Sequence, residues 1–195
     1  MSNSSPQPPL AQRAKGRLIP LLALTAAMWA LLLMPLSLRE QLGIRPGATI
    51  GLAAIPAAPW LHADLTHLAS NTIPFLVLGA LVLLRSSRDF VLVTLLAVLG
   101  SGLGIWFLGD PSEVHLGASG VIFGYFGFLV ARGLLERTFL SLALAAAVGF
   151  FYGGLLWQVF PHERHISWQA HVFGLLSGLV AAWLIVRRRL RRYGH

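Results

Sequence analysis

The chain has 195 residues, 56% of them hydrophobic and 11% charged, with a formal charge of +8. Soluble domains carry about 25% charged residues, so this composition excludes a disordered or fibrous chain and argues against an ordinary soluble enzyme. The absence of cysteine removes disulfides, thiolate metal sites and cysteine nucleophiles. The basic residues sit between long apolar runs rather than on one clustered stretch, which points to a membrane and not to nucleic acid.

Residues 1–17 are polar, rich in Ser, Pro and Gln, and read as a disordered tail. The uncharged run Leu18–Leu38 is too long for the core of a signal peptide and lacks a small-residue cleavage site, so a retained transmembrane helix is expected. Five further apolar runs follow: Leu65–Leu84, Phe90–Leu108, Leu116–Ala131, Thr138–Phe160 and Ile166–Val186. The fourth is short, and a snorkelling Arg132 extends it to Leu135. The prediction is an all-α membrane protein, a six-transmembrane-helix bundle over residues 18–186, with a basic tail at 187–195. No internal repeat is evident, which weighs against many transporters.

Charge orients the spans. With the N-terminus in the cytoplasm, twelve Lys and Arg lie inside and three, Arg39, Arg45 and Arg164, lie outside. Asp89 and Glu136 fall inside, and Glu40, Asp64, Asp110, Glu113 and Glu163 outside. The positive-inside rule therefore places both termini in the cytoplasm. The segment 39–64 is proline-broken yet apolar. It is expected either to sit in the outer leaflet, with Trp60 near the interface, or to pack on protein.

Ionisable side chains within spans are rare and usually functional. Here the polar residues gather at the outer ends of three spans, while the cytoplasmic halves read as apolar. His67 and Asn71 open the second span four residues apart, on one helix face, with His62 just before them. Helix capping or interhelical bonding would explain the same residues. The fourth span opens with Gly117-Ala118-Ser119-Gly120, where glycines leave a serine hydroxyl and nearby N–H groups accessible. Alone, a glycine-rich helix start explains it equally. The sixth span carries His171, Gly174 and Gly178. Gly174 and Gly178 form a small-residue stripe that matches Gly120, Gly124 and Gly127 of the fourth. Close packing of the two stripes predicts that Ser119 meets His171, a serine beside a candidate general base. Asp64 and Asp110 are read as solvated loop carboxylates. His115, His165 and His195 carry no assigned role, and no H-E-x-x-H spacing exists for zinc.

In their order and span placement, H-x4-H-x3-N, G-x-S-G and A-H-x2-G-x3-G resemble the rhomboid family of intramembrane serine proteases, in its six-helix bacterial form. The resemblance covers residues 18–186. It implies a Ser–His dyad without a carboxylate third member: Ser119 as nucleophile and His171 as general base, then acid. It implies oxyanion donors from His67, Asn71 and the Ser119 N–H. His62, Gly117, Gly120, Phe123, Gly174 and Gly178 would support the site. Phe123 matches an aromatic position that packs on the catalytic imidazole and is commonly Tyr. The Trp-Arg pair of some relatives is absent, since Trp60 is followed by Leu61.

The implied partners are transmembrane protein substrates and the lipid bilayer, with no nucleic acid, cofactor or metal. Substrates would enter sideways and unwind locally, because a helix hides its carbonyls. The fifth span, with Phe150, Phe151, Tyr152 and Trp157, matches the lateral gate by position, and lipid-facing filler explains its aromatics too. A seventh span or appended domain is not expected, and a prokaryotic plasma membrane is the expected location. Two alternatives remain: an inactive rhomboid-like protein that binds membrane clients, and a small transporter using the histidines.

Overall fold

The computed structural model describes residues 10–160 and 167–193, with side chains described for 17–160, 167–189 and 191. Glu163, Arg164, His165 and His195 lie outside the described residues. Eight α-helices follow in chain order: α1 Leu10–Leu31, α2 Leu36–Gln41, α3 Thr49–Ala54, α4 Leu65–Arg85, α5 Ser87–Leu108, α6 Ser119–Glu136, α7 Phe139–Tyr152 and α8 Trp168–Tyr193. Two 3₁₀ segments, Ala58–Trp60 and Gly153–Val159, complete the order, and no strand occurs among the described residues.

Among the described residues five segments are long and apolar enough to cross a membrane: α4, α5, α6, α7 continued through its 3₁₀ extension to Val159, and α8. The chain is an integral, multi-pass membrane protein. The first apolar run differs from its predicted bounds. Its helix begins at Leu10, inside the segment read as a disordered tail, and ends at Leu31 instead of Leu38. Pro35 ends it: a proline disfavours helical geometry at the residue before it and offers no N–H. The chain turns through Leu32–Met34 and restarts as the separate helix α2. The apolar part of α1, Arg17–Leu31, is consequently shorter than the other five spans.

α6 is the axis of the bundle. Two thirds of its apolar window (67%) is buried, against 17% for α7, which packs along one side only. Two glycine stripes explain how α8 reaches α6. A Cβ at Gly174 would stand 2.1 Å from the Gly120 carbonyl oxygen, and one at Gly178 2.1 Å from that of Gly124. Backbone meets backbone there, a distance only glycine permits. α5 uses the same device against α8, where a Cβ at Gly104 would strike the Phe173 ring at 2.3 Å.

The end of the bundle away from Ser119 carries a charged core, contrary to the expectation that these halves are apolar. Arg132 does not snorkel; it is 2% exposed and bonds Asp89 at 2.7 Å and Glu136 at 2.7 Å. Arg189 also bonds Asp89 at 2.9 Å, and Arg85 bonds Glu136 at 2.8 Å. Ser141 donates to Glu136 as well. The network therefore joins α4, α5, α6, α7 and α8. Removing one member of a buried pair leaves a charge without its partner, at about 3–5 kcal/mol. Arg132→Met is expected to cost about 3 kcal/mol, the low end, because Arg189 and Arg85 still hold the two carboxylates. Thermal unfolding in detergent measures it; a change below about 1 kcal/mol would show that the network contributes little.

The segment between α2 and α4 packs on protein. Ile55, Ala58, Pro59 and Leu61 are buried, and Trp60 meets the Phe75 ring edge-on at 6.2 Å. Ile44 and His115 exchange backbone hydrogen bonds at 3.0 Å, and the Gly117 N–H donates to the Ala58 carbonyl at 3.0 Å. The first loop thus braces the loop that leads into Ser119.

Candidate active site

Ser119 is the first residue of α6, where helix geometry leaves N–H groups without intrahelical acceptors. The turn before it depends on Gly117, whose φ of +126° lies in the region that disfavours side chains. Space gives a second reason: a Cβ there would stand 2.7 Å from the His67 imidazole. His67 and Asn71 both rise from the first two turns of α4. Asp64 caps that helix by accepting from the His67 N–H at 2.8 Å, so it is a structural cap and not merely a solvated carboxylate.

Ser119, His171, His67 and Asn71 line one cavity of about 770 Å³, together with Glu40, Asp64, Glu113, Gln158 and others. A smaller cavity of about 20 Å³ lies beside Ser119, lined by Ser101, His115 and Ser167 among others. Asn71 is 7% exposed, and its Nδ2 donor has no acceptor among the described residues.

His171 is held on two sides. Its ring stacks on Phe123 with centroids 4.3 Å apart and planes 9° from parallel. Its Nδ1 lies 2.8 Å from the Gln158 carbonyl oxygen. A carbonyl only accepts, so Nδ1 carries a proton, and in the neutral form of the ring the lone pair is on Nε2. A main-chain carbonyl thus fixes the tautomer, a task that a carboxylate performs in a triad. Sequence reasoning missed this partner, since a backbone acceptor thirteen residues away leaves no side-chain signature.

His62 does not line the large cavity. It lies under the site, 1% exposed, with its Nε2 accepting the Ala118 N–H at 3.4 Å and its ring edge-on to His67 at 5.0 Å. Burial, reinforced by the neighbouring His67, lowers its pKa from 6.5 to about 3. The neutral ring alone can accept the Ala118 N–H. His115 is likewise pushed below its ordinary value by burial. Gly120 packs on Ser101 and the Ala170 carbonyl, and Gly174 on Gly120.

A pH dependence follows. Between pH 6.5 and about 3 the unfolded chain binds a proton at His62 that the folded chain refuses. The stability is complete above pH 6.5 and falls as the pH drops through that window, by up to about 1.4 kcal/mol per pH unit. Unfolding temperatures from pH 7 to pH 4 should show a steeper decline for the wild type than for His62→Asn. Parallel declines would refute a buried neutral His62.

Comparison with known proteins adds a separate line. The family profile described as Rhomboid domain matches residues 51–188. An uncharacterized protein of Mycobacterium tuberculosis is 41% identical over 152 residues, covering 73% of this chain and 63% of the relative. YdcA of Bacillus subtilis, named as a candidate rhomboid protease, is 30% identical over 144 residues, covering 68% of this chain and 67% of the relative. Rhomboid-like protein 11, chloroplastic, of Arabidopsis thaliana is 30% identical, covering 66% and 50%. The chain spans 60% to 63% of the length of the mycobacterial relatives it matches.

Proposed function

The chain belongs to the rhomboid family, and we propose that it is an intramembrane serine endopeptidase working through Ser119 and His171. One observation carries this reading: both residues line the same cavity, and the His171 tautomer leaves Nε2 as the base. Nε2 takes the Ser119 hydroxyl proton as Oγ attacks the scissile carbonyl carbon. The developing oxyanion is met by the Asn71 Nδ2 donor, by His67 and by the Ser119 N–H. The imidazolium returns its proton to the leaving amine, and water then hydrolyses the acyl-enzyme by the same route. The stack of Phe123 on His171 keeps the ring aligned through both transfers.

The substrate is the transmembrane segment of another membrane protein, cleaved near the outer face. The weakly packed α7 and its 3₁₀ extension face it: Phe150, Phe151 and Trp157 are each about three-quarters exposed or more. α1 acts as the sixth span, its apolar part Arg17–Leu31 reaching about 22 Å. The charge asymmetry puts both termini in the cytoplasm, and the bacterial relatives support a prokaryotic plasma membrane.

Asn71→Ala tests the oxyanion role. Loss of one donor typically costs about 10²–10³ in turnover. Cleavage of a single-span substrate in detergent should fall by that factor, with KM nearly unchanged. A variant within threefold of the wild type would remove Asn71 from the mechanism.

A further inference from the structure

Arg39 is buried, 7% exposed, and yet has no carboxylate at ion-pair distance among the described residues. A guanidinium stays charged at every accessible pH, and burying it without compensation is costly. Its compensation is three backbone carbonyls. Nε donates to Met34 at 3.1 Å, and Nη1 donates to both His62 and Ala63, the latter at 3.0 Å. Met34 closes the turn after α1, and His62 and Ala63 are the two residues before the cap of α4. One planar side chain on α2 therefore ties the end of α1 to the start of α4 across more than twenty residues.

What hangs from this tie is the oxyanion side of the site. The His62 backbone is held by Arg39, while its imidazole accepts the Ala118 N–H in the turn before Ser119. Two residues on, Asp64 caps α4 at His67, whose ring sits against Gly117. We propose that Arg39 is a positioning residue, a carbonyl clamp that holds the His62–Asn71 segment in register with Ser119. It touches no reacting atom. The inference rests on the catalytic reading of Ser119 and His171.

The test measures labelling of Ser119 by a fluorophosphonate probe in the full chain in detergent, a reaction that needs the nucleophile and the oxyanion donors but no transmembrane substrate. Arg39→Gln is expected to label at least about tenfold more slowly, with Arg39→Lys between it and the wild type, because a lysine keeps the charge but not the fork. In an Asn71→Ala background the same Arg39→Gln change should cost no more than about threefold, since residues that act through one another are not additive. A merely structural arginine would cost the same in both backgrounds. Labelling of Arg39→Gln within twofold of the wild type, or a full multiplicative loss on top of Asn71→Ala, overturns the clamp. If Arg39→Gln does not fold, Arg39→Lys goes through the same cycle under the same criteria. A wild-type chain that the probe does not label at Ser119 would instead sink the catalytic reading, and the clamp with it.

Discussion

Replacing His171 by alanine is expected to lower cleavage by at least about 10⁴-fold, to the floor of most assays. The serine hydroxyl is a weak nucleophile at neutral pH, and its activation depends on a base within hydrogen-bond reach. His171 is the imidazole in the large cavity whose tautomer is fixed from behind by a carbonyl acceptor. Without it Ser119 keeps its proton and the leaving amine has no acid to meet it. The fold should survive the change, because Gly120, Gly124, Gly174 and Gly178 still join α6 to α8 when the stack of His171 on Phe123 is lost. A cooperatively folded variant, its unfolding temperature lowered only by the loss of one stacked ring, with activity lost is therefore the expected pair of results. A variant that retains a tenth of the wild-type rate would show that another group is the base.

The second large effect is expected from one methyl group. Gly174→Ala places a Cβ 2.1 Å from the Gly120 carbonyl oxygen, one residue after Ser119. That oxygen belongs to the backbone, so relief requires moving the start of α6 or sliding α8. Either motion shifts Ser119 relative to His171, and a displacement of about 1 Å can cost about 10²-fold. Gly174→Ala should thus lose at least about 10²-fold in turnover. Gly149→Ala is the control: a Cβ there meets nothing within 4 Å, and activity should be unchanged. Equal activities for the two variants would contradict the close backbone contact as the device that assembles the site.

The glycine stripes show why much of this bundle was legible in the sequence. A small residue every fourth position marks a helix face meant for close approach, and the stripes of α6 and α8 meet each other. The polar residues on α4, α6 and α8 were legible because so few others interrupt the apolar runs. Three features were hidden for a common reason: their partners are distant in the chain or belong to the backbone. Gln158 and Ala118 contribute main-chain atoms, which every residue possesses. Arg39 looked like an outer-loop cation, and nothing in its neighbours announces carbonyls more than twenty residues away. The third is the network of Arg132, Asp89, Glu136, Arg85 and Arg189. Its members were visible as charges at span ends, where solvation is the default reading, and only the packing of five helices turns them inward. The end of α1 is a different matter. The uncharged run Leu18–Leu38 contains Pro35, and the helix ends before it.

The most direct measurement is cleavage of a panel of single-span substrates in liposomes by the wild type and by Ser119→Ala. The wild type is expected to cut at least one substrate within or beside its membrane span, and Ser119→Ala to cut none. Cleavage by Ser119→Ala at the wild-type rate would contradict Ser119 as the nucleophile.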